Sequence, residues 1–234
     1  MQKKMSAALR AAFPHTIPVM TGFVFLGLAY GILMSSKGYG WPWILLMSCL
    51  LYAGSLQFVG VSLLTGAFNP LYALAMALVI NARHLFYGIS MLEKYSGAGK
   101  LKPYLIFGLC DETFSILCSV EAPPQVEKHL FMLAVTLLHQ GYWVLGGLAG
   151  GLIGPLLTFD TRGIDFVMTA FFVVIFINQW QRQKNRIPAL SGLAVTAVSL
   201  LVCGAENFII PAMVAIIACL SLMRKRLTKE VEEQ

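Results

Sequence analysis

The chain has 234 residues, of which 58% are hydrophobic and 12% are charged, and its formal net charge is +6 at pH 7. Soluble domains usually contain roughly 45–50% apolar and about 25% charged residues, so the composition excludes an ordinary soluble globule. Only 21 Gly, 10 Pro and 5 Cys residues are present, which also excludes a disordered, collagen-like or disulfide-rich secreted chain. The chain is therefore predicted to be an all-α polytopic membrane protein.

The first predicted element is a membrane helix within residues 11–36, a run of 26 residues without Asp, Glu, Lys or Arg. The run is longer than the roughly 7–15 residues of a signal-peptide core, and no small-residue cleavage site follows it. It is therefore expected to be retained as a membrane span. Pro14 and Pro18 are typical of a first helical turn and predict that the helix begins there.

Residues 38–82 form a second uncharged stretch of 45 residues, which predicts two spans, near 41–64 and 70–92. The next apolar run, 103–120, has only 18 residues and carries two adjacent acidic residues at its middle. It is marginal as a lipid-facing span and is predicted to be short, broken or re-entrant. Four more apolar runs follow, at 130–158, 164–180, 187–203 and 207–223. Together the runs predict about six to eight transmembrane helices, some of them discontinuous.

The basic residues lie in clusters between these runs: near the N-terminus, at 93–102, at 181–186 and near the C-terminus. This distribution favours a membrane topology over a nucleic-acid-binding surface, and the positive-inside rule places all the clusters in the cytoplasm. Three apolar runs separate the first cluster from the second, and three separate the second from the third, although an even number of crossings is required. Either one cluster is translocated, or one run in each group does not cross. Broken helices at matching places in two halves are typical of a transporter binding site.

A faint internal repeat supports two halves. Gly27-Leu-Ala-Tyr-Gly31 recurs as Gly147-Leu-Ala-Gly-Gly151. We therefore treat the chain as one transmembrane domain, 1–234, with predicted halves 1–102 and 103–234. Glycines at four-residue spacing predict close packing of helix backbones, or space for a substrate or a partner helix.

Arg83 is the strongest candidate for a functional residue. It lies nine residues from the end of its run at Leu92, about 14 Å along a helix, which is long for simple snorkelling to water. An unpaired Arg at that depth costs from about 2.5 to more than 10 kcal/mol, so it is expected to face a partner or a polar cavity. Asp111 and Glu112 are the expected partners. The surplus carboxylate is then protonated, pairs with His84 or meets a cation on a substrate, and a purely structural ion pair is the alternative.

Neutral hydrogen-bonding groups complete the candidate binding residues, and they are Asn81, Ser55, Gln57 and Asn178. Such residues join helices more often than they bind substrate, and both roles are left open here. The cysteines are scattered and are interpreted as small apolar side chains. No catalytic, nucleotide-binding or metal-binding motif is visible, so neither an enzyme nor a cofactor is predicted.

Six segments match a family pattern, and they are 14–18, 27–31, 52–58, 81–88, 111–114 and 164–172. With them the sequence resembles the large subunit of the AzlC-type branched-chain amino-acid exporters, permeases of bacterial and archaeal inner membranes. The specific part is Asn81-Ala-Arg83-His84 together with Asp111-Glu112. The resemblance departs at Leu109-Cys110, where the family usually has small or hydroxylated residues.

The resemblance implies export of L-valine and other branched-chain amino acids, sometimes methionine, across the bacterial cytoplasmic membrane. It also implies proton coupling and a small hydrophobic partner subunit of the AzlD type. For such a substrate, Arg83 would bind the carboxylate and Asp111 or Glu112 the ammonium, with an apolar pocket for the side chain. The alternatives are uptake, transport of another small amphiphile, and a scaffold or sensor subunit.

Overall fold

The structure is a computed structural model that describes residues 2–67, 69–156 and 186–208 continuously. Elsewhere it describes only short stretches, at 166, 169–170, 173, 176–177, 180, 211–212, 214–216, 218–219 and 221–223. These described residues contain helices and no strand, so the prediction of an all-α polytopic membrane protein is confirmed. The chain divides into two compact units, Met1–Met168 and Thr169–Gln234. The predicted halves at 1–102 and 103–234 stay a prediction.

The described part of the first unit contains seven α-helices. They are α1 (Gln2–Ser36), α2 (Trp41–Leu50), α3 (Gly54–Thr65), α4 (Pro70–Met91), α5 (Lys102–Phe107), α6 (Asp111–Ser119) and α7 (Lys128–Ile153). Short 3-10 turns, Gly99–Leu101 and Gly154–Leu156, precede α5 and follow α7. By length and composition α1 and α7 are long and apolar enough to span a membrane, and α4 reaches that length as two parts bent by 43° between Leu78 and Ile80.

In the second unit the structure describes α8 (Ile187–Asn207), another apolar helix of spanning length. Gly204 interrupts its helical geometry with φ 74° and ψ 167°, which glycine adopts without steric cost. The predicted run 187–203 is confirmed as a helix. A short apolar helix, Val214–Met223, falls within the predicted run 207–223. The predicted run 164–180 lies largely outside the described residues.

Helices α1 and α7 lie side by side and run parallel. His15 contacts Phe131 near the N-terminal end of α7, with ring centroids 6.3 Å apart. Farther along both helices, Gly31 packs so closely on α7 that a Cβ built on it would lie 2.5 Å from the backbone nitrogen of Gly151. The two glycine segments of the faint repeat therefore face each other, and the prediction that they pack helix backbones together is confirmed.

The N-terminal end of α1 corrects one prediction, because the helix begins at Gln2 and contains Pro14 and Pro18 in its interior. Ala8 and Ala12 are fully buried in the core cluster, so packing holds the first turns in helical form. A proline inside a membrane helix is tolerated where neighbouring groups bind the freed backbone. Between the two prolines, the Thr16 hydroxyl adds a local bond to the backbone, since it donates to the Phe13 carbonyl at 2.9 Å.

The prediction of one span near 41–64 is wrong, because the segment folds into two short helices that return to the end where they began. We call residues 41–65 hairpin 1. At its open end, the Tyr39 hydroxyl donates to the Leu64 carbonyl at 3.0 Å. At its tip, Gly54 packs against the Trp143 ring at the middle of α7. Helices of 10 and 12 residues reach only about half of the roughly 30 Å hydrocarbon core, so we infer a re-entrant segment.

The segment 103–120 is broken as predicted, and we call residues 102–119 hairpin 2. Its two helices, α5 and α6, are separated at Gly108–Cys110. Its open end lies at the start of α7, because the Lys94 ammonium just before it donates to the Leu117 carbonyl at 2.6 Å and His129 Nε2 lies 3.0 Å from the Ser96 carbonyl. Hairpin 2 therefore enters from the end opposite to hairpin 1.

The two hairpin tips meet beside the middle of α7. The Tyr52 hydroxyl of hairpin 1 lies 3.9 Å from Cys110 Sγ of hairpin 2. Helix α4 runs from the end of hairpin 1 to the opposite end, where Met91 is buried in one cluster with Ala8. Between the basic cluster near the N-terminus and the cluster at 93–102, only α1 and α4 then cross. These two clusters consequently lie at the same end. Residues 41–91 form a hairpin followed by a long helix, and residues 102–153 form a second unit of this kind. The two units run in opposite directions, since their hairpins enter from opposite ends.

This topology predicts the labelling of single cysteines in a background without the native ones. Cysteines placed at Gly40 and Ala67, the two ends of hairpin 1, should react with an impermeant maleimide from one face of oriented vesicles. Cysteines placed at Lys4, Lys100 and Gln125 should react only from the other face, because α1, α4 and α7 cross and the hairpins do not. Labelling of positions 40 and 67 from opposite faces would show that residues 41–65 cross the bilayer.

Candidate functional site

Arg83 connects the two hairpin tips. Its Nη1 lies 2.6 Å from Asp111 Oδ2 at the start of α6, and its Nη2 donates to Ser55 Oγ at the start of α3 at 3.2 Å. The side chains of Arg83 and Asp111 are 36% and 28% exposed, so a small molecule can reach the ion pair. The predicted partnership of Arg83 with the acidic residues is therefore present in the structure, and Asp111 rather than Glu112 makes the ion pair.

Local features of α4 place Arg83 at this depth. Asn69 caps the helix, since its Oδ1 accepts from the backbone N–H groups of Leu71 and Tyr72, and Pro70 occupies the first turn. One turn after Arg83, the Tyr87 ring stacks on Phe114 of α6 with centroids 4.5 Å apart. Two successive turns of α4 thus contact α6, which fixes the rotation of α4 about its axis.

The N-termini of α3 and α6 converge on Arg83 from opposite ends. Ser55 is the second residue of α3 and Asp111 is the first residue of α6. Neither helix has a side-chain cap, since Ala53 and Cys110 at the cap positions make no such hydrogen bond. The first N–H groups of a helix have no partner within the helix, and they carry partial positive charge. Arg83 and two positive helix ends therefore surround one paired carboxylate.

Two polar atoms of the ion pair lack hydrogen-bond partners among the described residues. Arg83 Nε and Asp111 Oδ1 are both buried and unpaired. A buried polar atom without a partner costs about 1–3 kcal/mol, and such atoms in native structures are usually satisfied by water, an ion or a ligand. The two partners of the ion pair therefore offer one free donor and one free acceptor.

Comparison with known proteins assigns the chain to a family. A family model described as AzlC protein matches residues 18–157, and the chain is 53% identical over 223 residues to the branched-chain amino acid transport protein AzlC of Bacillus subtilis. The chain belongs to the AzlC family. The alignment with the Bacillus relative covers 95% of this chain and 88% of the relative. The family match extends from Pro18 of α1 through α7 and so includes the whole Arg83 site.

More distant relatives are also membrane proteins. The chain is 42% identical to an uncharacterized membrane protein of Haemophilus influenzae, over 97% of this chain and 94% of the relative. It is 24% identical to the inner membrane protein YgaZ of Escherichia coli, over 88% of this chain and 92% of the relative. No solved structure matches.

The remaining predicted residues of this AzlC-family chain have different surroundings. His84 Nδ1 lies 3.3 Å from the Asn81 carbonyl, one turn earlier on α4, and the His84 ring contacts Tyr87. Gln57 is fully buried and accepts from Trp143 Nε1 at 2.6 Å, so it joins α3 to α7 rather than to Arg83. Asn178 lies outside the described residues. Of the neutral candidates that the structure describes, only Ser55 bonds to Arg83.

The structure also brings to the tips residues that sequence reasoning missed. Thr113 Oγ1 lies 2.9 Å from His139 Nδ1 and 3.1 Å from Cys110 Sγ. Cys110 was interpreted as a small apolar side chain, and the bond to Thr113 adds a polar role to it. His139 lies within an apolar run, and nothing in a single sequence distinguishes it from a core residue. The preceding segment Tyr52-Ala-Gly-Ser belonged to the family resemblance and was the available signal for the tip of hairpin 1.

Proposed function

We propose that this chain is a secondary transporter of branched-chain amino acids and that the substrate binds at Arg83. The observation that carries the proposal is the position of the guanidinium, between the uncapped N-termini of α3 and α6 beside the middle of α7. An arginine between two helix N-termini attracts a carboxylate, because all three groups are positive. The name of the Bacillus relative, a branched-chain amino acid transport protein, supports the same substrate class.

Binding of a zwitterion at this site is an exchange of partners. Asp111 holds Arg83 at 2.6 Å in the structure. The substrate carboxylate would displace Asp111 from Arg83, and the released Asp111 would accept from the substrate ammonium. One ion pair within the protein becomes two between protein and substrate, and the net charge of the site does not change. Every buried charge stays paired, which avoids the cost of an isolated ion in the membrane interior.

The apolar side chain of the substrate would lie against the stacked rings of Tyr87 and Phe114, which adjoin the ion pair. An apolar pocket distinguishes substrates that differ by one methylene by only about 1–3 kcal/mol. We therefore expect valine, leucine, isoleucine and methionine to be transported with similar efficiency, whereas amino acids with charged side chains are rejected.

Export, proton coupling and a small partner subunit of the AzlD type complete the proposal. The resemblance to AzlC-type exporters supports these three features and a bacterial cytoplasmic membrane. The positive-inside rule favours a cytoplasmic location for the N-terminus and for residues 93–102. A proton on Asp111 or Glu112 would release the ammonium, because a neutral carboxyl no longer pairs with a cation.

The recognition of both charged ends can be tested with substrate analogues. In proteoliposomes that contain the chain, with and without its partner subunit, unlabelled valine and leucine should compete with labelled valine. Valinamide, which lacks the carboxylate, and N-acetylvaline, which lacks the ammonium, should compete at least about 100-fold less, because each leaves one buried charge unpaired.

The same vesicles test the transport direction and the coupling. Efflux of preloaded valine should accelerate when an inward proton gradient is imposed and should be unchanged by an equal salt gradient. Equal competition by valinamide and valine would contradict carboxylate recognition at Arg83. Absence of any valine flux with the partner present would favour the scaffold or sensor alternative.

A further inference from the structure

His139 lies at the middle of α7 and is fully buried. Its Nδ1 lies 2.9 Å from Thr113 Oγ1 of hairpin 2. Its Nε2 has no hydrogen-bond partner among the described residues. Because a buried unpaired nitrogen costs about 1–3 kcal/mol, an apolar residue would serve packing alone better at this position.

A polar chain connects His139 to both hairpin tips. Thr113 Oγ1 bonds to Cys110 Sγ at 3.1 Å, and Cys110 Sγ lies 3.9 Å from the Tyr52 hydroxyl. This polar chain of side chains therefore runs from α7 through α6 to hairpin 1. It lies beside the Arg83 ion pair, because Asp111 directly follows Cys110 in the sequence.

Helix α6 is attached to its neighbours on two sides. Asp111 binds Arg83 of α4, and Thr113 binds His139 of α7. Residues two apart on a helix point to different sides, so these contacts hold α6 between α4 and α7. A change at His139 therefore acts on the helix that carries the Arg83 partner.

The surroundings of His139 disfavour its charged form. From α1 it contacts the apolar ring of Phe23, with centroids 5.7 Å apart. The nearest titratable group on α7 is Tyr142, with centroids 6.4 Å apart. At the start of α6 the titratable groups are Cys110, which bonds to Thr113, and the two acidic residues that follow it. Tyr52 of hairpin 1 contacts Cys110, and Cys118 lies at the far end of α6.

No acidic side chain forms an ion pair with His139 within the described part of the chain. An imidazolium in this position would lack a counter-ion, at a cost of several kcal/mol. Protonation of His139 therefore requires hairpin 2 to move, so that water or a carboxylate of the first turn of α6 reaches the ring.

We propose that His139 is a positioning residue that binds a proton and thereby releases hairpin 2 from α7. The inference rests on the proposed transport function, because movement of hairpin 2 takes Asp111 away from Arg83. Binding of a proton and opening of the site toward the end of hairpin 2 then become one coupled equilibrium. His139 acts through Thr113 and α6 and need not touch the substrate.

The experiment measures the position of hairpin 2 without any substrate. Cys110 at the tip and Cys118 near the end of α6 are both free thiols, and Cys118 is exposed. Labelling by N-ethylmaleimide is quantified at each residue by mass spectrometry, between about pH 5.5 and pH 8, the range in which histidines titrate. The ratio of Cys110 to Cys118 labelling corrects for the common effect of pH on thiol reactivity. In the unmodified chain this ratio should rise at least about fivefold as the pH falls.

Three variants separate proton binding from a structural role. His139→Asn retains a hydrogen-bonding group near the Nδ1 position but cannot bind a proton, so its labelling ratio should be low and independent of pH. Thr113→Val removes the attachment, so its ratio should be high at every pH. His129→Asn, a histidine at the start of α7 outside the site, should behave like the unmodified chain.

A pH-dependent ratio that persists in His139→Asn, or a ratio independent of pH in the unmodified chain, would overturn the inference. The same variants in the valine exchange assay distinguish this outcome from failure of the proposed function. If the chain transports valine, His139→Asn should keep exchange at high pH and lose its acceleration at low pH. If the chain transports no valine, the labelling experiment still decides the role of His139.

Discussion

Replacement of Arg83 by Gln will reduce valine transport by about 100-fold or more, because loss of one partner of a hydrogen-bonded charge pair costs about 2–5 kcal/mol. Arg83 provides the cation for the substrate carboxylate and also holds Asp111 and Ser55 in place. The variant removes both functions, since a glutamine carries no charge. The loss is measured as initial rate of valine exchange per molecule of protein reconstituted.

Two further variants separate binding from folding. Arg83→Lys keeps the charge but lacks the planar fork that reaches Asp111 and Ser55 together, so transport should be partly retained. The double variant Arg83→Gln with Asp111→Asn leaves no unpaired charge and should restore the yield of folded protein. It should not restore transport. Near-normal transport by the double variant would show that the ion pair is structural, as the scaffold alternative requires.

Replacement of Gly31 by Ala will destabilise the first unit more than any comparable change on the lipid-facing side of α1. A Cβ at Gly31 would lie 2.5 Å from the backbone nitrogen of Gly151, and backbone cannot move aside as a flexible side chain can. Overpacking of this kind costs about 1–3 kcal/mol or more, which corresponds to a loss of several degrees in melting temperature. Thermal unfolding of the detergent-solubilised protein measures the effect.

Gly22 provides the matched control on the same helix. It is exposed, and a Cβ built on it meets nothing within 4 Å. Gly22→Ala should therefore be neutral or stabilising, by up to about 1 kcal/mol, because alanine favours a helix over glycine. Equal melting temperatures for the two variants would contradict the close packing of α1 on α7.

The Arg83–Asp111 pair was predictable from the sequence because the cost of an unpaired charge at that depth requires a partner. Asp111 and Glu112 are the only acidic pair within an apolar run, so the choice was small. The selection of Asp111 over Glu112 was not predictable. It depends on the start of α6 at Asp111, which follows from a break at Gly108–Cys110 that no proline or charge marks.

The hairpins were predictable only in part. The parity of the basic clusters left two alternatives, a translocated cluster or one run in each group that does not cross, and the run 103–120 was predicted to be short, broken or re-entrant. The run 41–64 has no charged residue, so hydropathy alone indicates a span. Its break depends on a tertiary contact, the approach of Gly54 to Trp143, which a sequence pattern does not contain.

The polar chain through Thr113 and His139 was not predictable, because its members lie on different helices and each is common in apolar segments. The structural role of Gln57 was also not predictable. It was a candidate for substrate binding, but its amide accepts from Trp143 and joins two helices. The hydrogen-bond partner of each neutral polar residue depends on how its helix is rotated about its axis, and hydropathy does not determine that rotation.

The central claim is that a branched-chain amino acid binds between Arg83 and the N-termini of α3 and α6. An experimental structure of the chain with its partner subunit and valine, in nanodiscs, tests this claim most directly. We expect the valine carboxylate within hydrogen-bond distance of Arg83 and Ser55, and the ammonium on Asp111, which no longer contacts Arg83. Valine bound elsewhere, with the Arg83–Asp111 ion pair intact, would show that Arg83 is not the substrate site.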